Sequence, residues 1–404
     1  MEPTDLILPE GTRLVHIGPP KTGTTTLQGA FHGGRDAIAR QGVHYAGPTR
    51  QPMSAVLAVM GYPSPGTGEV PSIKKWRRLV GEIRHAGEQR VVLSSERLSH
   101  SRPEAIRTIV EDLGAGSVHI VATLRPLAKV IPSQWQQSVQ TGLQVSYDEF
   151  LEEIFNDPDG RHGRAFWYRH RHDQLIARWA EVVGPHNVTV IALDDRDHGM
   201  VLRVFEQMLG LKEGTLVADG DRTNRSMTLP EVEVVRAFNE QFFAEGLGRP
   251  LHTKVMRFGA TAHIKAREPA PDEPRIETPQ WALDRAGQIS MEMVDTIMAS
   301  GIRVVGDPER LRPTLTSGLV DGRQPTFRIA PEVAGRAAMG VLLASGLARS
   351  TKGSTKDGDR YVPRPSVEPI ALARISTIQM MAVLWRRIRA AVVIRTRRLL
   401  RRSG

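Results

Sequence analysis

The chain has 404 residues, 40% of them hydrophobic but only 5% aromatic, which is long for one domain and rich enough for a substantial core. Cysteine is absent, which excludes disulfides, zinc–thiolate sites and a cysteine nucleophile and fits a reducing compartment. The net charge of +10 is local, because residues 370–404 hold nine arginines and no acid, so the nearly neutral remainder argues against a surface that tracks nucleic acid.

Residues 1–10 carry acids and no basic residue ahead of a short apolar run, unlike a signal peptide. No apolar run approaches the roughly 18 residues of a membrane span, so the expectation is a cytoplasmic protein. Leu14, Val15 and Ile17 predict a buried parallel strand, residues 18–23 a turn, and Thr24 onward a helix to about Arg40. In a strand–loop–helix unit the first helical amides lack intrahelical partners and point out of the positive end of the helix. The loop is therefore a seat for phosphate or sulfate, with Lys21 adding a positive charge and Thr24, Thr25 and Thr26 adding hydroxyls. Lys21 stands two residues before Gly23, whereas the common nucleotide loop places its lysine after the last glycine.

The order Pro20-Lys-Thr-Gly-Thr-Thr-Thr26 resembles the 5′-phosphosulfate loop of sulfotransferases that use 3′-phosphoadenosine 5′-phosphosulfate, especially the bacterial and carbohydrate-acting branch. The resemblance implies a P-loop-like three-layer α/β fold with a central parallel sheet. It also implies that Lys21, Thr22, Gly23, Thr24, Thr25 and Thr26 hold the donor.

Further along, 42–46 reads as a short strand, and 47–71 as a proline- and glycine-rich loop around an apolar segment at 55–60. Residues 73–86 read as a basic amphipathic helix. Residues 90–96 form a second buried strand ending in Ser94, Ser95 and Glu96, and in open parallel sheets ligands collect at such strand ends. A helix over 103–113 precedes a third apolar strand over 118–124, which runs into Arg125 and Pro126. The next helix carries Ser133. A guanidinium fork and a hydroxyl can converge on one anion. Sulfotransferases bind the donor's 3′-phosphate with an Arg at a strand end and a Ser eight residues later, and Arg125 and Ser133 match that spacing. The family's acidic residue between Arg and Pro is missing here, where the sequence reads Leu-Arg-Pro-Leu.

Helices are predicted over 147–155, 166–183 and 200–209, with a fourth strand over 187–193. The run 175–184 and the strand after it are similar to the helix–strand pair that closes the family's sheet. Residues 221–226, before a helix over 230–244, resemble a loop folded over the nucleotide, which implies a donor contact from Arg225. A helix over 281–299 and the segment 301–307 complete the resemblance, which spans about 13–312. The organisation expected is a sulfotransferase-like domain over 1–312, a mixed segment and linker over 313–368, and a basic amphipathic helix over 369–404. That C-terminal helical extension interleaves Trp385 and aliphatic residues among its arginines, as a peripheral anchor for anionic membranes does.

The function implied is sulfuryl transfer to a hydroxyl or amine of a carbohydrate, lipid or small metabolite, with no metal. Glu96 in its Ser-Ser-Glu setting resembles the catalytic base of carbohydrate-acting sulfotransferases, with His100 and His16 as competitors for the role. Two other readings stand beside this one. A P-loop-type kinase is opposed by the order of Lys21 and Gly23 and by the lack of a clear acidic strand end. The other is an interaction protein working through its arginine-rich tail on membrane or, less in keeping with its apolar residues, nucleic acid.

Overall fold

A computed structural model describes residues 6–218, 225–312, 319 and 324–347. These lie within one of the chain's two units, Met1–Ser350; the second, Thr351–Gly404, with the expected basic helix, falls outside the described residues, as do 221–224 of the expected nucleotide loop.

Six strands form one all-parallel sheet: β1 (Arg13–Gly18), β2 (Val43–Tyr45), β3 (Arg90–Ser94), β4 (Val118–Leu124), β5 (Val188–Ala192) and β6 (Arg303–Val305). Their order is β2-β3-β1-β4-β5-β6. The strands are continuous runs of Val, Ile and Leu because both faces are covered, as parallel crossovers require. Side chains alternate between two cores. Val15, Ile17, Val91 and Leu93 face the helices Lys74–His85, Pro103–Leu113 and His172–Val183. Leu14, Val92 and Val121 face α1 (Thr24–Gly33) and the helix Met200–Leu209. The α/β fold with a central parallel sheet is thus observed.

A third core gathers the helices Leu127–Gln140, Tyr147–Asn156, Leu229–Ala244 and Gln280–Ala299. Ala337 and Val341 of the helix Pro331–Ser345 pack against it. The continuous run 249–265 belongs here too: a short helix, a wider π-helical stretch at Thr253–Ala260, and a last turn at Thr261–Lys265. Sequence reasoning assigned no element to that run, since its Thr, Val, Phe and Gly residues are weak helix formers held by tertiary packing.

Two expected helices are broken. The first ends at Gly33, and a short helix, Arg35–Ala39, follows. The guanidinium of Arg35 donates to the carbonyl of Tyr45 at 2.7 Å, which pulls the second piece toward the sheet edge. The expected helix over 166–183 is two, Arg161–His170 and His172–Val183, separated at Arg171, whose ψ of 85° leaves the helical region. The guanidinium of Arg171 caps the break by an ion pair with Asp173 at 2.8 Å. Part of the expected loop at 47–71 is also helical, at Met53–Met60.

Buried histidines, His16, His119 and His172 among them, make the fold sensitive to acid. Burial lowers His16 to about 3, and His119 and His172 to about 4. An unfolded histidine titrates near 6.5. Between pH 6.5 and about 4 the unfolded chain therefore binds more protons than the folded one, so stability is full above pH 6.5 and is lost as pH falls. The loss is about 1.4 kcal/mol per histidine per pH unit. Urea midpoints should drop steeply from pH 7 to pH 5. His119→Gln, which keeps a partner for the Thr189 hydroxyl 2.9 Å away, should flatten the slope. A wild-type midpoint that does not move across that range would rule out neutral imidazoles in the core.

Candidate active site

β1 lies between β3 and β4, and the chain leaves the three strands toward the same end of the sheet. That is the switch point at which open α/β sheets bind ligands. It brings together the loop after β1, Glu96 after β3 and Arg125 after β4.

The loop is drawn tight. Gly18 has φ +80°, and a Cβ there would lie 3.0 Å from the Cβ of Glu96, so only glycine lets the loop and Glu96 approach this closely. Gly23 precedes α1 with φ +78°. Lys21 is the one described non-glycine residue at positive φ, at +73°, a conformation that costs about 1–2 kcal/mol. Such strain persists where surrounding structure imposes it, and it collects at functional sites. No side chain caps α1 and its first turn has no acid, so its first amides are free at the loop mouth. The Thr24 hydroxyl oxygen is buried there without a partner, whereas Thr25 is exposed and Thr26 half-buried.

Thr22 faces the other way. Its hydroxyl donates to the Pro19 carbonyl at 2.7 Å and lies 2.8 Å from the Thr123 hydroxyl. Thr123 is 3.1 Å from His16 Nε2, while His16 Nδ1 is 2.9 Å from the Ser94 hydroxyl, to which Gln28 donates at 3.2 Å. One order of protons satisfies every contact. Thr22 spends its hydrogen on Pro19, so Thr123 donates to Thr22, His16 Nε2 donates to Thr123, and Ser94 donates to His16 Nδ1. This relay ties the loop to β4, β1 and β3 and ends two residues before Glu96. With both nitrogens used and burial holding it neutral, His16 serves as a strut and not as a base.

The electrostatics around Lys21 come from far along the chain. Burial lowers its pKa to about 8, helped by the positive charges of Lys265 and Arg257 and opposed by Glu96. Three cations and one carboxylate thus act at this point of the loop. Lys265 and Arg257 project from the helical run that the sequence left unassigned. Arg225 holds that run in place. Its guanidinium meets Glu231 at 2.7 and 2.8 Å and donates to the carbonyls of Ile264, Lys265, Arg267 and Ser226 at 3.0 to 3.2 Å. All five of its hydrogens are engaged, so Arg225 has none for a nucleotide, and the donor contact expected of it gives way to a clamp. Arg267 completes the buried network, pairing with Glu231 at 2.6 Å and with Glu273.

Arg125 stands at the end of β4 as expected. Its Nη1 donates to the Lys21 carbonyl at 3.4 Å, its Nη2 pairs with Asp195 at 2.8 Å, and its buried Nε has no partner. Lys129 shares Asp195 at 2.6 Å, so two cations on one acid leave a net positive charge. Asp194 and Asp195 follow β5 after Leu193 and give the sheet an acidic strand end that the sequence reading overlooked; both are paired with arginine. Ser133 lies in the second turn of the helix Leu127–Gln140, half-buried. Among the described residues there is no group of three or more side chains able to hold a metal ion, and no helix is long and apolar enough to cross a membrane.

Glu96 opens a 3-10 helix, Glu96–His100, whose first turn is capped by the Ser95 hydroxyl. His100 closes it. Burial and the guanidiniums of Arg169, Arg97 and Arg178 hold His100 well below the usual histidine range, so it is a poor proton acceptor. Of the candidate bases, Glu96 is the one beside the loop.

No protein-family model matches this chain, and no curated protein matches it. Among solved structures it is similar to the crystal structure of a sulfotransferase from Alicyclobacillus acidocaldarius, with 20% identity and a TM-score of 0.38, over 59% of this chain and 94% of that one.

Proposed function

We propose that the chain is a sulfotransferase that takes its sulfuryl group from 3′-phosphoadenosine 5′-phosphosulfate and passes it to a hydroxyl or amine. The observation that carries this reading is the strained Lys21, set between the free amides of α1 and the carboxylate of Glu96. The residues fit the donor. The unpartnered Thr24 hydroxyl and the loop amides suit the 5′-phosphate, and Arg125, with Lys129 behind it, suits the 3′-phosphate.

In this mechanism Glu96 accepts the proton of the attacking hydroxyl or amine as the new bond to sulfur forms. The 5′-phosphate oxygen keeps the electron pair as its bond to sulfur breaks, and Lys21 and the loop amides donate hydrogen bonds to it. Such a transfer needs positioning and charge stabilisation more than covalent help from the protein. Arg125 supplies the positioning.

Binding of adenosine 3′,5′-bisphosphate without magnesium tests this reading; binding only of ATP with magnesium would point to a kinase, and binding of neither to a scaffold. Arg125→Ala should weaken the bisphosphate by about tenfold to a hundredfold, the worth of charge-assisted hydrogen bonds, and leave the 5′-monophosphate nearly unchanged. Asp195→Asn should do the reverse and tighten the bisphosphate, by removing the acid that competes for the guanidinium. Equal weakening of both nucleotides by Arg125→Ala would take this arginine out of 3′-phosphate recognition.

A further inference from the structure

A second concave site opens at the far end of the Glu96–His100 helix. It is a cavity of about 440 Å³ lined by Arg102, Arg161, Arg164 and Arg169, with Tyr62, Tyr168 and His100 between them. No carboxylate lines it. Behind it stand Arg178, whose guanidinium lies 4.1 Å from the centre of the Tyr168 ring, and Arg97, whose Nε is buried without a partner.

Buried or half-buried arginines are ordinarily paired with acids, because uncompensated like charges repel and their desolvation goes unrepaid. Arg125, Arg171, Arg225, Arg236 and Arg267 follow that rule, whereas Arg13, Arg35 and Arg90 donate to backbone carbonyls instead. Around this cavity the half-buried Arg97, Arg169 and Arg178 and the exposed Arg102, Arg161 and Arg164 make no ion pair among the described residues, and Arg169 is lowered to about 10 by burial and by Arg97. The same positive field continues through Arg97 to Arg257 and so to Lys21. A cluster of this kind, with forked donors and aromatic faces together, is complementary to several acidic groups on one ligand.

We infer that this cavity holds the acceptor, and that the acceptor is an extended polyacid. The inference rests on the sulfotransferase reading for the role of Glu96. A 3-10 helix rises about 2 Å per residue, so the four residues from Glu96 to His100 span on the order of 8 Å. The accepting hydroxyl or amine meets Glu96, and at least two acidic groups of the same molecule, roughly 8 Å away, meet the arginines. A single small metabolite does not reach both ends. The polyacid would also supply the carboxylates that these arginines lack among the described residues.

The test uses the full-length protein and two probes of one backbone, tetragalacturonic acid and its full methyl ester, titrated by calorimetry. The acid should bind and the ester should not. Arg161 and Arg164 are exposed, so the double variant Arg161→Gln/Arg164→Gln keeps the fold; it should lose at least tenfold in affinity for the acid. Its affinity for adenosine 3′,5′-bisphosphate should stay within twofold. Equal binding of acid and ester, or of wild type and variant, would overturn the assignment, the latter locating polyacid binding elsewhere, such as the arginines of 370–404. Donor-product binding without any binding of the acid would leave the sulfotransferase reading standing and remove the polyacid. Loss of the acid in the variant, with no donor-product binding by wild type, would leave an anion site but end its role as an acceptor site.

Discussion

Replacing Lys21 by glycine should raise the thermal midpoint by about 2 °C, since roughly 1 kcal/mol shifts a domain of this size by that much, while abolishing most turnover. Three effects act on stability. Glycine relieves the left-handed strain of about 1–2 kcal/mol, and it removes an ammonium half-buried beside Lys265 and Arg257. Against these, glycine adds about 0.5–1 kcal/mol of chain entropy to the unfolded state. The first two outweigh the third. Turnover should fall about a hundredfold or more, as it does when a donor to a developing oxyanion is lost. A stable but inactive variant is the signature of strain kept for function.

A readout besides turnover follows from the lowered pKa. With Lys21 at about 8 in the free protein, the ammonium is partly deprotonated at pH 8.5. A bound phosphate favours the charged form, so binding adenosine 3′,5′-bisphosphate at pH 8.5 should take up a proton. Calorimetry in buffers of different ionisation enthalpy would detect it, and Lys21→Gly should abolish it. A variant of lower midpoint that retains both turnover and proton uptake would remove Lys21 from the mechanism.

Glu96→Gln should lower turnover by about a hundredfold to ten-thousandfold, the usual worth of a general base. The amide keeps the shape of the carboxylate and its packing under Gly18, so the fold and donor affinity should survive. Because Glu96 is, among the described residues, the acid acting on Lys21, its removal leaves the loop more positive, and adenosine 3′,5′-bisphosphate should bind somewhat more tightly. Loss of turnover with donor affinity kept or raised marks an interaction made in the transition state. His100→Gln is the companion variant. Burial among three guanidiniums already makes His100 a poor base, so it should retain far more activity than Glu96→Gln. The opposite ranking would transfer the role of base to the histidine.

Much of the framework was legible without coordinates. Val91-Val92-Leu93, the run 118–124 and the run 188–192 are apolar enough that only strands covered on both faces can bury them. The turn at 18–23 and the arginine directly after the predicted strand 118–124 are likewise local patterns, and each lies at the same end of the sheet. Where the sequence reading slipped, a contact distant in the chain was the cause. Arg171 breaks one expected helix because Asp173 and the packing of His172 favour a second start. Arg225 looks like a free loop cation until Glu231 and the carbonyls of 264–267 engage it.

The amino-acid sequence by itself determined five of the six strands, the glycine- and threonine-rich loop after β1 and the two cations beside it, Lys21 and Arg125, because each follows from spacing within a few residues. The tertiary structure decided what surrounds them. It brought Arg257 and Lys265 to Lys21, set Asp195 against Arg125, threaded the hydroxyl relay through His16, and gathered arginines from 97 to 178 around one cavity. These pairings join positions up to about two hundred and forty residues apart, and charge and hydrogen bonding depend on distance in space, which no local periodicity encodes.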